Sequence, residues 1–186
     1  MKILQNTIKV IGFFLAILIL ILVALSLIPT KTNQIEGDNA IASLESVQIG
    51  GIEQWLSIRS EDKSNPILLY LHGGPGMGYI PLASDFSSLI EKRFVVVHWD
   101  QRGGGKTCGS DTPNSTLNIE QYLTDTFELV NYLRKRFNQQ KIYLVGHSWG
   151  SVLGVKMAQG YPELFHAYVG LGQVVDMNRG ETISYQ

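Results

Sequence analysis

Apolar positions fall into two regimes along the chain. Across residues 10–30 no position is charged, and residues 11–28 are almost wholly Ile, Leu, Val, Phe and Ala. Beyond Thr30 the apolar residues come in short runs separated by glycine-rich or polar stretches. The first regime predicts a membrane-spanning helix, because at 1.5 Å per residue such a run crosses a hydrocarbon core of roughly 30 Å. It exceeds the apolar stretch of about 7–15 residues in a cleavable signal peptide. Ala24-Leu25-Ser26 nevertheless resembles a weak cleavage site, and cleavage there would release the rest of the chain by secretion. Lys2 and Lys9 lie on one side of the run, while Lys31 is followed by Glu36 and Asp38. This bias favours a cytoplasmic N-terminus, and so a single-pass cell-membrane protein with its domain on the extracytoplasmic side.

The second regime predicts alternating strands and helices. Residues 30–42 read as a polar linker. Val47, Gln48 and Ile49, the pair Gly50-Gly51 and residues 52–58 predict a β-hairpin, since two glycines between apolar-rich runs suit a tight turn. Residues 66–71, 94–98 and 142–145 are continuous apolar runs, as in strands buried on both faces, and residues 167–171 predict a fourth such strand. Helices are predicted at about 82–92, at 119–137 and at 148–161. In the second of these, Ile119, Tyr122, Leu123, Phe127, Val130, Leu133 and Phe137 recur at three- and four-residue spacing, with Asn118 as N-cap. Strands alternating with helices imply right-handed crossovers and a mostly parallel α/β sheet covered on both faces.

Composition narrows the partners. The chain has 186 residues, room for one ordinary domain. A formal net charge of −1 with 17% charged residues points to no nucleic acid or other polyanionic partner. Cys108 is the only cysteine, so an intrachain disulfide and a cysteine-rich metal site are excluded, and a small filler near a loop is the expected role of that thiol.

Three glycine-rich stretches each follow a predicted buried strand: His72-Gly73-Gly74-Pro75-Gly76, Asp100-Gln101-Arg102-Gly103-Gly104-Gly105, and Gly146-His147-Ser148-Trp149-Gly150. Loops at the carboxyl ends of strands line the ligand crevice of an open α/β sheet, so the three are expected to converge. The last reads as a nucleophile elbow, a tight strand-to-helix turn that presents the Ser148 hydroxyl at a helix N-terminus. Attack on a carbonyl creates an oxyanion, best held by two preorganised N–H groups. The backbone of Trp149 is one expected donor and Gly74 the other, with Gly73 second. The glycine spacing in residues 73–76 does not fit a dinucleotide fingerprint, and no P-loop lysine follows. Asp100 and Arg102 are expected to form an ion pair that fixes their loop.

These three motifs, in this order, resemble the α/β-hydrolase superfamily, and within it the proline iminopeptidases and related serine hydrolases. The likeness covers residues 47–173. It implies an eight-stranded sheet with a helical cap inserted after strand six, and a triad of serine, aspartate and histidine with Ser148 in the nucleophile's place. It implies no metal or organic cofactor, and a small ester, amide or short peptide as substrate. The iminopeptidases usually carry Gly-Gly-Ser-Trp-Gly where this chain has Gly146-His147-Ser148, so peptidase specificity stands beside general ester or amide hydrolysis. Serine rather than aspartate at the elbow argues against epoxide hydrolases and dehalogenases.

The domain organisation expected is therefore an anchor at 1–30, a linker at 31–45 and a partial hydrolase domain at 46–186, ending at the start of the cap. The triad histidine has no candidate. His72 and His98 precede the serine at strand ends, His147 adjoins it, and His166 falls at the start of a strand with a surface role expected. Asp176 is expected to be a hinge or cap residue. The chain is thus read as an N-terminal portion, nearly inactive alone, with strand 167–171 left as an exposed apolar edge. Two other readings remain open: a non-catalytic binding or interaction module, and an enzyme completed by a second chain.

Overall fold

The computed structural model describes residues 2–26, 32–109 and 112–185. Met1–Lys31 and Thr32–Gln186 form separate compact units. In the first, Lys2–Ser26 is an α-helix, α1, and its large apolar side chains between Val10 and Val23 are exposed. The expected transmembrane span is corrected: among the described residues no helix is long and apolar enough to cross a membrane. The polar residues Lys2, Gln5, Asn6, Thr7 and Lys9 occupy the first turns. The uncharged part of the helix, residues 10–26, then extends about 25 Å against a hydrocarbon thickness of about 30 Å. The rest of the predicted anchor, residues 27–30, lies outside the described residues. The single-pass topology, the extracytoplasmic placement and the membrane as partner lose their support with it.

In the second unit the hairpin forms as predicted but is longer. β1 (Ile41–Ile49) and β2 (Ile52–Ser60) pair antiparallel, with Ile49 opposite Ile52. Gly50 and Gly51 supply the positive φ angles, +57° and +80°, that a two-residue hairpin turn demands. β1 starts inside the predicted linker because residues 41–48 pair with β2 along their whole length.

β3 (Ile67–Leu71), β4 (Val95–Asp100), β5 (Ile142–His147) and β6 (Phe165–Leu171) complete a six-stranded sheet of order β1-β2-β4-β3-β5-β6. β4, β3, β5 and β6 are parallel neighbours, whereas β2 runs against both β1 and β4. The sheet is therefore mixed, with β2 alone running against the other five strands, because the hairpin reverses the chain before the first crossover. Alternation along β4 divides its two faces. Val95, Val97 and Trp99 join the core with residues of α3 (Ile119–Arg136) and α4 (Trp149–Gly160). His98 faces the other side, where Tyr79 stacks on it at the start of α2 (Ile80–Ser87).

Helix α2 is earlier and shorter than its apolar pattern predicts. Pro81 sits in its first turn, where a missing N–H costs nothing. At the other end the Ser87 hydroxyl bonds Ala83 O and Glu91 Oε1, both 2.7 Å away, and Glu91 is tied to Arg59 of β2 at 2.9 Å. In α3, Asn118 caps as expected, accepting the Gln121 N–H at 2.9 Å. The buried face differs from the apolar count: Asp125 and Thr126 are buried, while Phe127 lies out against Tyr161. β6 is half open to solvent, with Val169 50% and Leu171 44% exposed, in line with the apolar edge expected there. It is followed by α5 (Met177–Ser184).

Candidate active site

The three loops do converge. Ser148 lies between the end of β5 and the start of α4 with φ +50° and ψ −117°. A side-chain-bearing residue rarely occupies that region, and holding it there requires fixed surroundings. The turn is clamped from both sides: Ser148 N–H donates to Leu171 O at 2.9 Å, and Ser148 O accepts Ser151 N–H at 2.9 Å and Ser151 Oγ–H at 2.6 Å. Gly150 lets α4 lie directly on β3, since a Cβ there would stand 2.0 Å from Leu71 O. Trp149 is the first residue of α4, so its N–H has no acceptor within the helix.

The loop after β3 rests against this turn at Gly73. A Cβ on Gly73 would meet Ser148 Cβ at 3.3 Å and His147 Nδ1 at 3.2 Å. Gly74 follows with φ +128°. His72 is buried, with Nδ1–H donating to Gly73 O at 2.6 Å and Nε2 accepting the Gln101 N–H at 3.2 Å. That pattern belongs to a neutral ring, and burial pushes its pKa down. Gln101 completes the lacing. Its Nε2 donates to His72 O, and its Oε1 accepts the Trp149 indole N–H, each at 3.2 Å. One buried amide thus joins all three loops, a role that no sequence motif announces.

The expected ion pair between Asp100 and Arg102 does not form. Asp100 accepts backbone N–H groups instead, from Tyr79 at 2.8 Å, Ile80 at 3.2 Å and Lys106 at 2.8 Å. Arg102 turns to Asp125 of α3, bonded through Nε at 2.8 Å and Nη2 at 3.0 Å. Both side chains are almost wholly buried. Gln54 and Gln121 also donate to Asp125, at 2.8 and 2.7 Å. In front of this pair the crevice holds a pocket of about 280 Å³ between Gly76, Gly103, Leu117, Ile119, Tyr122 and Trp149.

The remaining residues singled out in the sequence lie apart. His166 is exposed, its ring 5.0 Å from that of Tyr143. Asp176 caps α5, accepting the Arg179 N–H at 3.0 Å. Cys108 is exposed rather than a filler. Among the described residues no group of three or more His, Cys, Asp or Glu side chains is placed to hold a metal ion.

His98 has neither ring nitrogen hydrogen-bonded. It lies between Tyr70, tilted against it, and Tyr79, stacked on it, with centroids 5.3 and 5.9 Å away. Burial, and then the nearby His72 and Arg59, push its pKa from 6.5 down to about 4. The unfolded chain therefore binds a proton between those values that the fold refuses, so stability falls as pH drops from about 6.5 to about 4, by about 3 kcal/mol in total. Urea unfolding at pH 7 and pH 4.5 measures this. His98→Phe, which keeps a ring among the tyrosines, is expected to flatten the profile by most of that amount.

A family model described as the alpha/beta hydrolase fold matches residues 66–183. The chain belongs to the alpha/beta hydrolase fold family. Within this family it is 39% identical over 147 residues to a probable aminopeptidase of Bacillus subtilis, a match covering 79% of this chain and 46% of that protein. To a proline iminopeptidase of Thermoplasma volcanium it is 31% identical, over 62% of this chain and 37% of the relative. A proline iminopeptidase-related protein from Thermus thermophilus superposes with TM-score 0.62 at 22% identity, covering 73% of this chain and 46% of that one. An epoxide hydrolase from Vigna radiata gives TM-score 0.60 at 27% identity, over 73% and 41%. The chain spans half or less of the length of these relatives. The family resemblance read from the three loop motifs is thus confirmed.

Proposed function

We propose that this chain carries the nucleophile and oxyanion-binding part of a serine hydrolase acting on ester or amide bonds, short peptides among them. The observation that carries the reading is Ser148 held at φ +50° on the N-terminus of α4, with Gly73 packed against its Cβ. Ser148 Oγ adds to the substrate carbonyl carbon while its proton passes to a general base. The oxyanion is received by the N–H of Trp149 and that of Gly74, with Gly73 the second choice. Collapse breaks the C–O or C–N bond, the leaving group takes up the proton, and water then hydrolyses the acyl-enzyme. We assign the base to none of the four histidines. His72 has both ring nitrogens bonded, His98 is enclosed by tyrosines, His166 sits at the far end of β6, and His147 turns its Nδ1 toward Gly73. The names of the relatives favour an aminopeptidase-like substrate with a free N-terminus.

A fluorophosphonate probe tests the reading. Labelling of the whole protein at Ser148, lost in Ser148→Ala together with hydrolysis down by on the order of 10⁶, is the expected result. Equal labelling of the two would overturn it.

A further inference from the structure

The pocket at Trp149, the residue after Ser148, is walled chiefly by apolar side chains. Each polar side chain in its wall is already bonded within the protein. Asn118 Oδ1 accepts the Gln121 N–H at 2.9 Å, and its Nδ2 donates to Ser115 O at 2.9 Å. The Tyr122 hydroxyl donates to Arg102 O at 2.9 Å, and the Trp149 indole N–H to Gln101. Behind the wall, Arg102 and Asp125 are buried and closed on each other. What faces the cavity is chiefly carbon: the Trp149 and Tyr122 rings, which meet edge to face at 5.7 Å, and the side chains of Ile119 and Leu117. A charged group entering here would lose its water and meet no opposite charge in the wall, whereas an apolar group leaves water favourably.

Size and position then define the occupant. An apolar cavity of ~150 Å³ holds benzene, so about 280 Å³ takes a phenyl ring or a branched alkyl group. Trp149 links the cavity to the reaction centre, because its ring forms one wall and it directly follows Ser148. Building on the assignment of Ser148 as nucleophile, we propose that this pocket is the subsite for an uncharged apolar substituent, a phenyl or branched alkyl group, of the ester or amide attacked. Leu117, 45% exposed at the mouth and within reach of Gly103, sets its depth.

The test uses p-nitrophenyl phosphonates that differ in one substituent: methyl, benzyl or carboxymethyl. Benzyl is expected to label Ser148 about tenfold or more faster than methyl, with carboxymethyl no faster than methyl. Leu117→Trp, which fills the mouth, should bring the benzyl-to-methyl ratio close to one. Labelling by methyl without a benzyl preference, or a preference that survives Leu117→Trp, overturns the subsite and leaves the nucleophile assignment standing. Should no probe label Ser148, that assignment fails, and the pocket is judged by binding alone. Toluene and benzoate are then titrated into the unaltered chain while the Trp149 indole N–H is followed by NMR, assigned with Trp149→Phe. A shift with toluene only supports an apolar site at this place, and a shift with benzoate, or with neither, overturns it.

Discussion

Gly150→Ala is expected to destabilise the protein by about 3 kcal/mol or more, read as a drop in the urea midpoint with an unchanged slope. The added methyl would stand 2.0 Å from Leu71 O, 2.5 Å from Leu71 C and 2.7 Å from His72 O. All three are backbone atoms of β3 and the loop that follows it, so no side chain can rotate away. Relief requires α4 to lift off the sheet, and α4 contributes Leu153 and Met157 to the core. The same movement would carry Ser148 away from Gly73, so labelling at Ser148 should fall even in molecules that remain folded. Gly160→Ala is the matched control at the other end of α4. Nothing lies within 4 Å of its Cβ position, and the change should be neutral or stabilise by up to about 1 kcal/mol. If both variants behave alike, close approach of α4 to β3 is not what Gly150 provides.

Asp125→Ala is the second large effect, with an expected cost of about 3–5 kcal/mol. It removes the carboxylate that faces Arg102 Nε and Nη2 and leaves a guanidinium in a site almost wholly closed to water. It also takes an acceptor from the amides of Gln54 and Gln121. Replacing both partners, as in Arg102→Met with Asp125→Leu, should cost less than Asp125→Ala alone, because no charge is left without a partner. Full recovery is not expected, since Arg102 also donates to Gly50 O at 2.7 Å and Thr116 Oγ1 at 3.2 Å. A double-mutant cycle on urea midpoints measures the coupling, and additive losses would mean that the pair is not energetically joined.

The legible parts of the sequence are those governed by neighbours along the chain. Strands β3, β4 and β5 stood out as unbroken apolar runs, because a strand covered on both faces has no polar side to show. Helix α3 was marked by its spacing and by Asn118, since both the period and the cap are local properties. The elbow was legible because only glycine fits where α4 meets the sheet. The face of α3 was misread in one respect, as counting apolar residues selects Phe127 and passes over Asp125 and Thr126. Asp125 is buried because Arg102 reaches it from the loop after β4, 23 residues earlier. The pairing of Asp100 with Arg102 failed for a related reason. Asp100 shares the face of β4 that carries His98, toward α2, while Arg102 lies beyond the strand end and turns toward α3.

By itself, then, the sequence determined the α/β alternation, the hairpin turn, the family and the place of Ser148 at a strand-to-helix turn. The alternation, the hairpin and the turn follow from steric demands and solvent preferences that act residue by residue, and the family from the likeness of its three loop motifs. Tertiary structure alone decided which carboxylate neutralises Arg102, that Gln101 laces three loops together, that His98 is enclosed among tyrosines, and that the pocket beside Trp149 has no unbonded polar side chain. Those outcomes depend on the strand order β2-β4-β3-β5, which brings together loops separated by tens of residues. Long-range pairing of that kind leaves no periodicity in the chain, because its cause is the packing of the sheet rather than the local run of residues.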